Sequence, residues 1–227
     1  MKILRILFLF CFTTNTLESQ NFEGILKYSV DFEVSKEMEQ LGYTRAFLIS
    51  KLKEDNLYSE YILYYYKDHD YVIETDDYKA NYIGKDKTIY TRMRGQNVVV
   101  ATDVSKYSLS QPEVCIDESK ELILKRKCKK VSFEWKSNAY EYYYSPDFLP
   151  LNPLLYESHN YEMFYDFLKI SNSLPLRIVK KVGGIITTIN LIEVNESDLN
   201  HDLFKIPKMT LSEDLSGLNS KIFTTEN

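Results

Sequence analysis

The residues of this chain that could do chemistry are three histidines, two of its three cysteines and several close carboxylates. Their spacing restricts what that chemistry would be. His69, His159 and His201 stand far apart, and none pairs with a ligand-type residue in a recognised metal motif. Each is expected to be an exposed or hydrogen-bonded structural histidine rather than a zinc ligand. Asp68 and Asp70, and the adjacent Asp76 and Asp77, fall in polar turn clusters, where Asp is favoured because its side chain bonds nearby backbone. A glycosidase pair is defined by separation in space, which chain spacing does not report. There is no G-x-S-x-G elbow and no glycine-rich phosphate loop. The chain is therefore expected to be a non-enzyme, with no metal and no cofactor.

The most cationic stretch is "LKRKCKKVSFEW", where Lys125, Arg126, Lys127, Lys129 and Lys130 surround Cys128. Val131, Phe133 and Trp135 alternate with Lys130, Ser132 and Glu134, which marks a strand with one dry and one wet side. The cations then belong to a solvated strand face, partly neutralised by Asp117, Glu118, Glu121 and Glu134. A contact with anionic headgroups or a protein partner is the lesser alternative. With 28 basic against 33 acidic residues, the chain has a net charge of −5, so no nucleic-acid partner is expected. Cys115 and Cys128 form an even pair beyond the amino-terminal segment. In an oxidising compartment they would close a short loop, contributing about 3 kcal/mol; the alternative is two unpaired buried thiols.

The compartment is suggested by "MKILRILFLFCFTTNTLESQ". A basic start, a short apolar run and a polar end with Ser19 read as a signal peptide over residues 1–19. The run is far shorter than the roughly 20 residues of a membrane-spanning helix. Cys11 lies inside it with no small residue before it, so lipidation is disfavoured. Residues 20–208 are expected to form a single domain large enough to bury a substantial core, followed by a polar, mobile tail over 209–227.

The positioning elements are mostly strands. The 19 tyrosines suit half-buried pleated surfaces. In residues 22–32, Phe22, Leu26, Tyr28, Val30 and Phe32 alternate with polar neighbours. One or two helical pieces follow between residues 35 and 53, with Ser35 as a cap. Strand-like runs at 58–66, 71–74, 78–83, 88–94 and 97–102 are separated by polar turns and read as an antiparallel meander. A second set covers 114–117, 122–125, 128–136 and 140–145. An irregular, proline-bearing stretch with a helical "YEMFYDFLK" comes next, and then two strands joined at Gly183-Gly184.

Four phrases in this order, "ESKELILKRKCKKVSFEW", "YEYYYSPDF", "LPLRIV" and "DLFKIP", resemble the second half of secreted Gram-negative proteins of the GLPGLI family. The opening "FEGILKYSV" is similar to their first strand. The chain departs from that pattern at Leu124-Lys125-Arg126, where Gly-Tyr is usual, and at Ser173-Leu174-Pro175-Leu176, which replaces a fuller Gly-Leu-Pro motif. The resemblance extends to the LolA/LolB-like lipoprotein-carrier fold. It implies an α+β domain: a strongly curved antiparallel sheet, an unclosed barrel, with helices packed across the concave face.

On such a sheet Phe22, Leu26, Tyr28, Val30, Phe32, Val131, Phe133, Trp135, Tyr142 and Leu176 become the candidate concave face for a hydrophobic ligand. The ligand classes implied are an acyl chain, a lipid or a lipoprotein, in a protein of the Gram-negative periplasm or secreted from it. The alternative is that these side chains are ordinary core, in a structural module that binds an envelope protein through its sheet edges.

Overall fold

A computed structural model describes residues 21–107, 111–136 and 138–225; the signal-peptide reading of residues 1–19 lies outside them. Strand β1 (Gly24–Val34) is followed by helices α1 (Lys36–Gln40) and α2 (Arg45–Glu54). A run of strands comes next: β2 (Tyr61–Lys67), β3 (Asp70–Glu74), β4 (Tyr78–Ile83), β5 (Thr88–Met93) and β6 (Val98–Asp103). The second run is β7 (Glu113–Ile123), β8 (Arg126–Trp135) and β9 (Asn138–Tyr144), then α3 (Phe164–Ser171), β10 (Arg177–Val182) and β11 (Ile185–Glu196). Last come β12 (Met209–Leu215) and β13 (Ser220–Thr225).

All thirteen strands lie in one sheet, in the order β12-β13-β6-β5-β4-β3-β2-β1-β11-β10-β9-β8-β7. Every neighbouring pair is antiparallel. Two meanders, β2–β6 and β7–β11, are thus joined through β1, which pairs with both β2 and β11. The two ends of the sheet, β7 and β12, do not pair with each other, so the sheet is an unclosed half-barrel. Short hairpins explain this order. Gly183 and Gly184 both have positive φ (59° and 81°), as a primed two-residue turn between β10 and β11 requires. Leu124 and Lys125 adopt the same region (48° and 62°) between β7 and β8, although neither is the usual Gly or Asn.

Alternation decides the faces. Leu26 and Tyr28 are fully buried while Asp31 and Glu33 are exposed. Tyr28 sits opposite Ile62 on one side and Leu191 on the other, so its ring enters the main core with Val131, Phe133 and Tyr142. A smaller cluster on Val72, Leu199 and Phe204 covers part of the opposite face.

Helical cover is thinner than expected. In α3, Phe164, Phe167, Leu168 and Ser171 are buried, an i, i+3, i+4, i+7 stripe. Phe167 stacks on Tyr142 with ring centroids 4.6 Å apart. By contrast, α1 buries no residue and α2 buries only Leu48, because "RAFLISKLKE" lacks a continuous apolar stripe. Helix α2 lies beside β1, with Arg45 bound to Asp31 at 2.6 Å, and Met38 of α1 lies against Gly184 in the β10–β11 turn. Among the described residues no helix is long and apolar enough to cross a membrane.

Three expectations are corrected. Cys115 and Cys128 are both free. The β7–β8 register sets Cys115 opposite Ser132, four positions from Cys128 along a strand that rises about 3.3 Å per residue, so no bond can close. Residues 209–225 are not a mobile tail: β13 pairs with β6 from Ser220↔Thr102 to Thr224↔Val98, and β12 pairs with β13. Backbone pairing at an open sheet edge needs no apolar run, which is why polarity misled. Finally, the segments 114–117 and 122–125 are one strand, β7, with a register shift between Glu118 and Leu122. The cationic stretch does form a solvated strand face, with Lys129 2.9 Å from Glu118 and Lys130 3.4 Å from Asp117.

Candidate functional site: a tyrosine-walled cavity

Tyrosines at every second position of neighbouring strands bring many phenol rings to one place. Tyr28 comes from β1, Tyr64 and Tyr66 from β2, Tyr71 from β3, Tyr78 from β4 and Tyr142 from β9. Together with Tyr107 and Tyr161 they wall a cavity of about 350 Å³, room for about a dozen waters. The rings pack on one another. Tyr64 and Tyr66 are nearly parallel at 5.9 Å, and Tyr28 meets Tyr64 edge-on at 5.3 Å. Such pairs add roughly 0.5–1.5 kcal/mol each beyond area burial.

The hydroxyls do different work. Tyr28 Oη donates to the Pro175 carbonyl at 2.8 Å, and Tyr142 Oη donates to the Glu162 carbonyl. Tyr71 Oη lies 2.8 Å from His159 Nε2. His159 is itself buried, its ring edge-on to Tyr82 at 4.6 Å. Burial pushes its pKa down from 6.5 to about 4, because the charged imidazolium loses hydration. The imidazole is therefore neutral at pH 7. Burial raises the phenol pKa of Tyr64, Tyr66, Tyr71 and Tyr142, so these hydroxyls stay protonated. For Tyr161 the nearby Glu162 charge is the larger cause, ahead of burial.

One ion pair completes the wall. Both Glu162 carboxylate oxygens lie 2.7 Å from Lys180 Nζ. Glu162 and Met163 have φ of 53° and 60°, two consecutive left-handed residues immediately before α3. Each costs roughly 1–2 kcal/mol relative to the right-handed region. The Lys180 contact, the Tyr142 hydroxyl and the packing of α3 hold the strained pair in place.

Of the ten residues expected to line a ligand face, the structure puts Tyr28 and Tyr142 on the cavity. Phe22, Leu26, Val131, Phe133 and Leu176 are packed core. Val30 and Trp135 are half-buried at the core margin, and Phe32 packs against Tyr58 at 5.9 Å. Sequence reasoning missed Tyr64, Tyr66, Tyr71 and Tyr78, although the alternation in "YILYYYK" carried a signal for the first two. It also missed Glu162, Lys180 and His159, which meet only in space, and Leu218 and Ser220, which line the cavity from the carboxy-terminal hairpin. Among the described residues no group of three or more His, Cys, Asp or Glu side chains is placed to hold a metal ion.

No protein-family model and no curated protein matches this chain. Two solved structures, both described as PNGF-II, overlap it at 13% identity, with TM-scores of 0.43 and 0.35. They cover 81% and 80% of this chain, which spans only 29% and 30% of theirs. This is a distant structural relation. Neither overlap bears on the resemblance to the GLPGLI family or to the lipoprotein-carrier fold.

Proposed function

We propose that the chain is an exported, non-enzymatic binding protein that holds a small hydrophobic molecule in the tyrosine-walled cavity. The observation that carries this is the cavity itself: a packed sheet face leaves about 350 Å³ unfilled, within the range of small-molecule sites. An acyl chain, free or borne by a lipoprotein, is the ligand suggested by the resemblance to carrier folds, with the sheet's inner side as the concave face and α3 as its cover. The periplasm, or the medium beyond it, is where such a protein would act. Native mass spectrometry of protein purified without detergent, with solvent extraction of bound molecules, tests the proposal. A co-purifying small molecule released on unfolding is expected; protein that carries none and takes up none when offered lipid extract counts against it.

A second reading, an envelope interaction module, is favoured by the open edge. Val114, Ile116 and Leu122 on β7 are 47%, 57% and 65% exposed, and an edge strand offers unpaired backbone groups to a partner. A stable protein partner recovered from envelope extracts, with an empty cavity, would select this reading over the first.

A further inference from the structure

Resting on the cavity reading above but replacing its free acyl chain, we infer that the site selects an uncharged amphiphile, with hydrogen-bonding oxygens on an apolar body, and discriminates against fatty acids and amines of the same size. Two independent observations carry this. The first is the charge balance of the wall. Glu162 and Lys180 neutralise each other at 2.7 Å, with side chains 22% and 24% exposed. No other carboxylate, lysine or arginine lines the cavity among the described residues. An anionic ligand would have to draw Lys180 away from Glu162 and then lie beside the carboxylate. A cationic ligand would face the mirror problem. Either one leaves a partly desolvated charge without its partner. A hydroxyl can bond to the pair without separating it.

The second observation is the set of phenol groups. Tyr66 is only 3% exposed and lines the cavity, yet its hydroxyl has no hydrogen-bond partner among the described residues. The half-buried Tyr64 and Tyr78 also have hydroxyls without a partner among the described residues, whereas Tyr28, Tyr71 and Tyr142 are engaged. A bare alkyl chain seated among these groups would leave their hydroxyls buried and unpaired, which is unfavourable. A ligand carrying several oxygens would satisfy them while its apolar body covers the rings.

The test uses three probes of similar length, 1,2-octanediol, octanoate and octylammonium, titrated into the full chain at pH 7 and followed by calorimetry or chemical-shift change. The diol is expected to bind at least about tenfold more tightly than either ion. Octanoate or octylammonium binding as tightly as the diol overturns the proposal and leaves the cavity reading standing. Binding by none of the three removes both. Glu162→Gln should raise octanoate affinity about tenfold by freeing Lys180, and Lys180→Gln should do the same for octylammonium. An unchanged preference in variants shown by circular dichroism to be folded also overturns it. The wild-type series decides the matter should either variant fail to fold.

Discussion

His159 shows how one buried side chain gives the molecule a pH response. Its ring is enclosed by Tyr71, Tyr82, Tyr156 and Phe164, and its folded-state pKa, about 4, lies below the ordinary 6.5. As pH falls, the unfolded chain therefore takes up the proton before the folded one. The stability contributed by this group is complete above about pH 6.5 and is lost progressively down to about pH 4. The full loss is about 3 kcal/mol. His159→Gln keeps a hydrogen-bonding group within reach of the Tyr71 hydroxyl and removes the titration. Urea unfolding at pH 7, 5.5 and 4.5 should show a shallower decline for the variant, and equal slopes would rule out a neutral buried imidazole. Nothing in the spacing of the three histidines distinguished His159, because its burial comes from strands and loops distant in sequence.

At the level of elements, close approach within the sheet makes some small residues indispensable. Gly24 starts β1 with φ of 147°, a conformation that L-residues avoid. A Cβ there would lie 2.3 Å from the Asn195 carbonyl oxygen and 2.9 Å from Glu196 Cα on β11. Both contacts are backbone, so relief requires β1 and β11 to separate where they begin to pair. Gly24→Ala should therefore cost more than about 1 kcal/mol, lowering the melting temperature by at least about 2–4 °C for a chain of this size; an unchanged melt would mean that this end of β1 is not held. The strands themselves were legible: period-two alternation in β1 and β8, and strand-like runs between polar turns elsewhere, located β1 to β6 and β8 to β11 to within a few residues. Helices α1 and α2 were legible too, from Ser35 and the spacing that follows it. Their role was not, since α2 exposes Phe47 and buries only Leu48.

The whole molecule depends on β1 and on the carboxy-terminal hairpin. One strand welds two meanders into a single sheet, and the hairpin extends that sheet and contributes Leu218 and Ser220 to the cavity wall. Hydrogen exchange should reflect this. Amides of β13 paired with β6, such as those near Ile222↔Val100, are expected to exchange about as slowly as those of β5 paired with β6. Exchange of residues 209–225 at unfolded-chain rates would detach the hairpin from the fold and open the cavity. What the sequence determined by itself was local: an antiparallel, tyrosine-rich strand protein with few helices, because alternation and turn chemistry act over two to ten residues. Only the tertiary structure decided which tyrosines face the cavity, that Glu162 meets Lys180, that Cys115 lies opposite Ser132, and that a polar terminus is a sheet edge. Each of these is set by register and by contacts across the sheet, and pairing between distant segments leaves no mark on either segment alone.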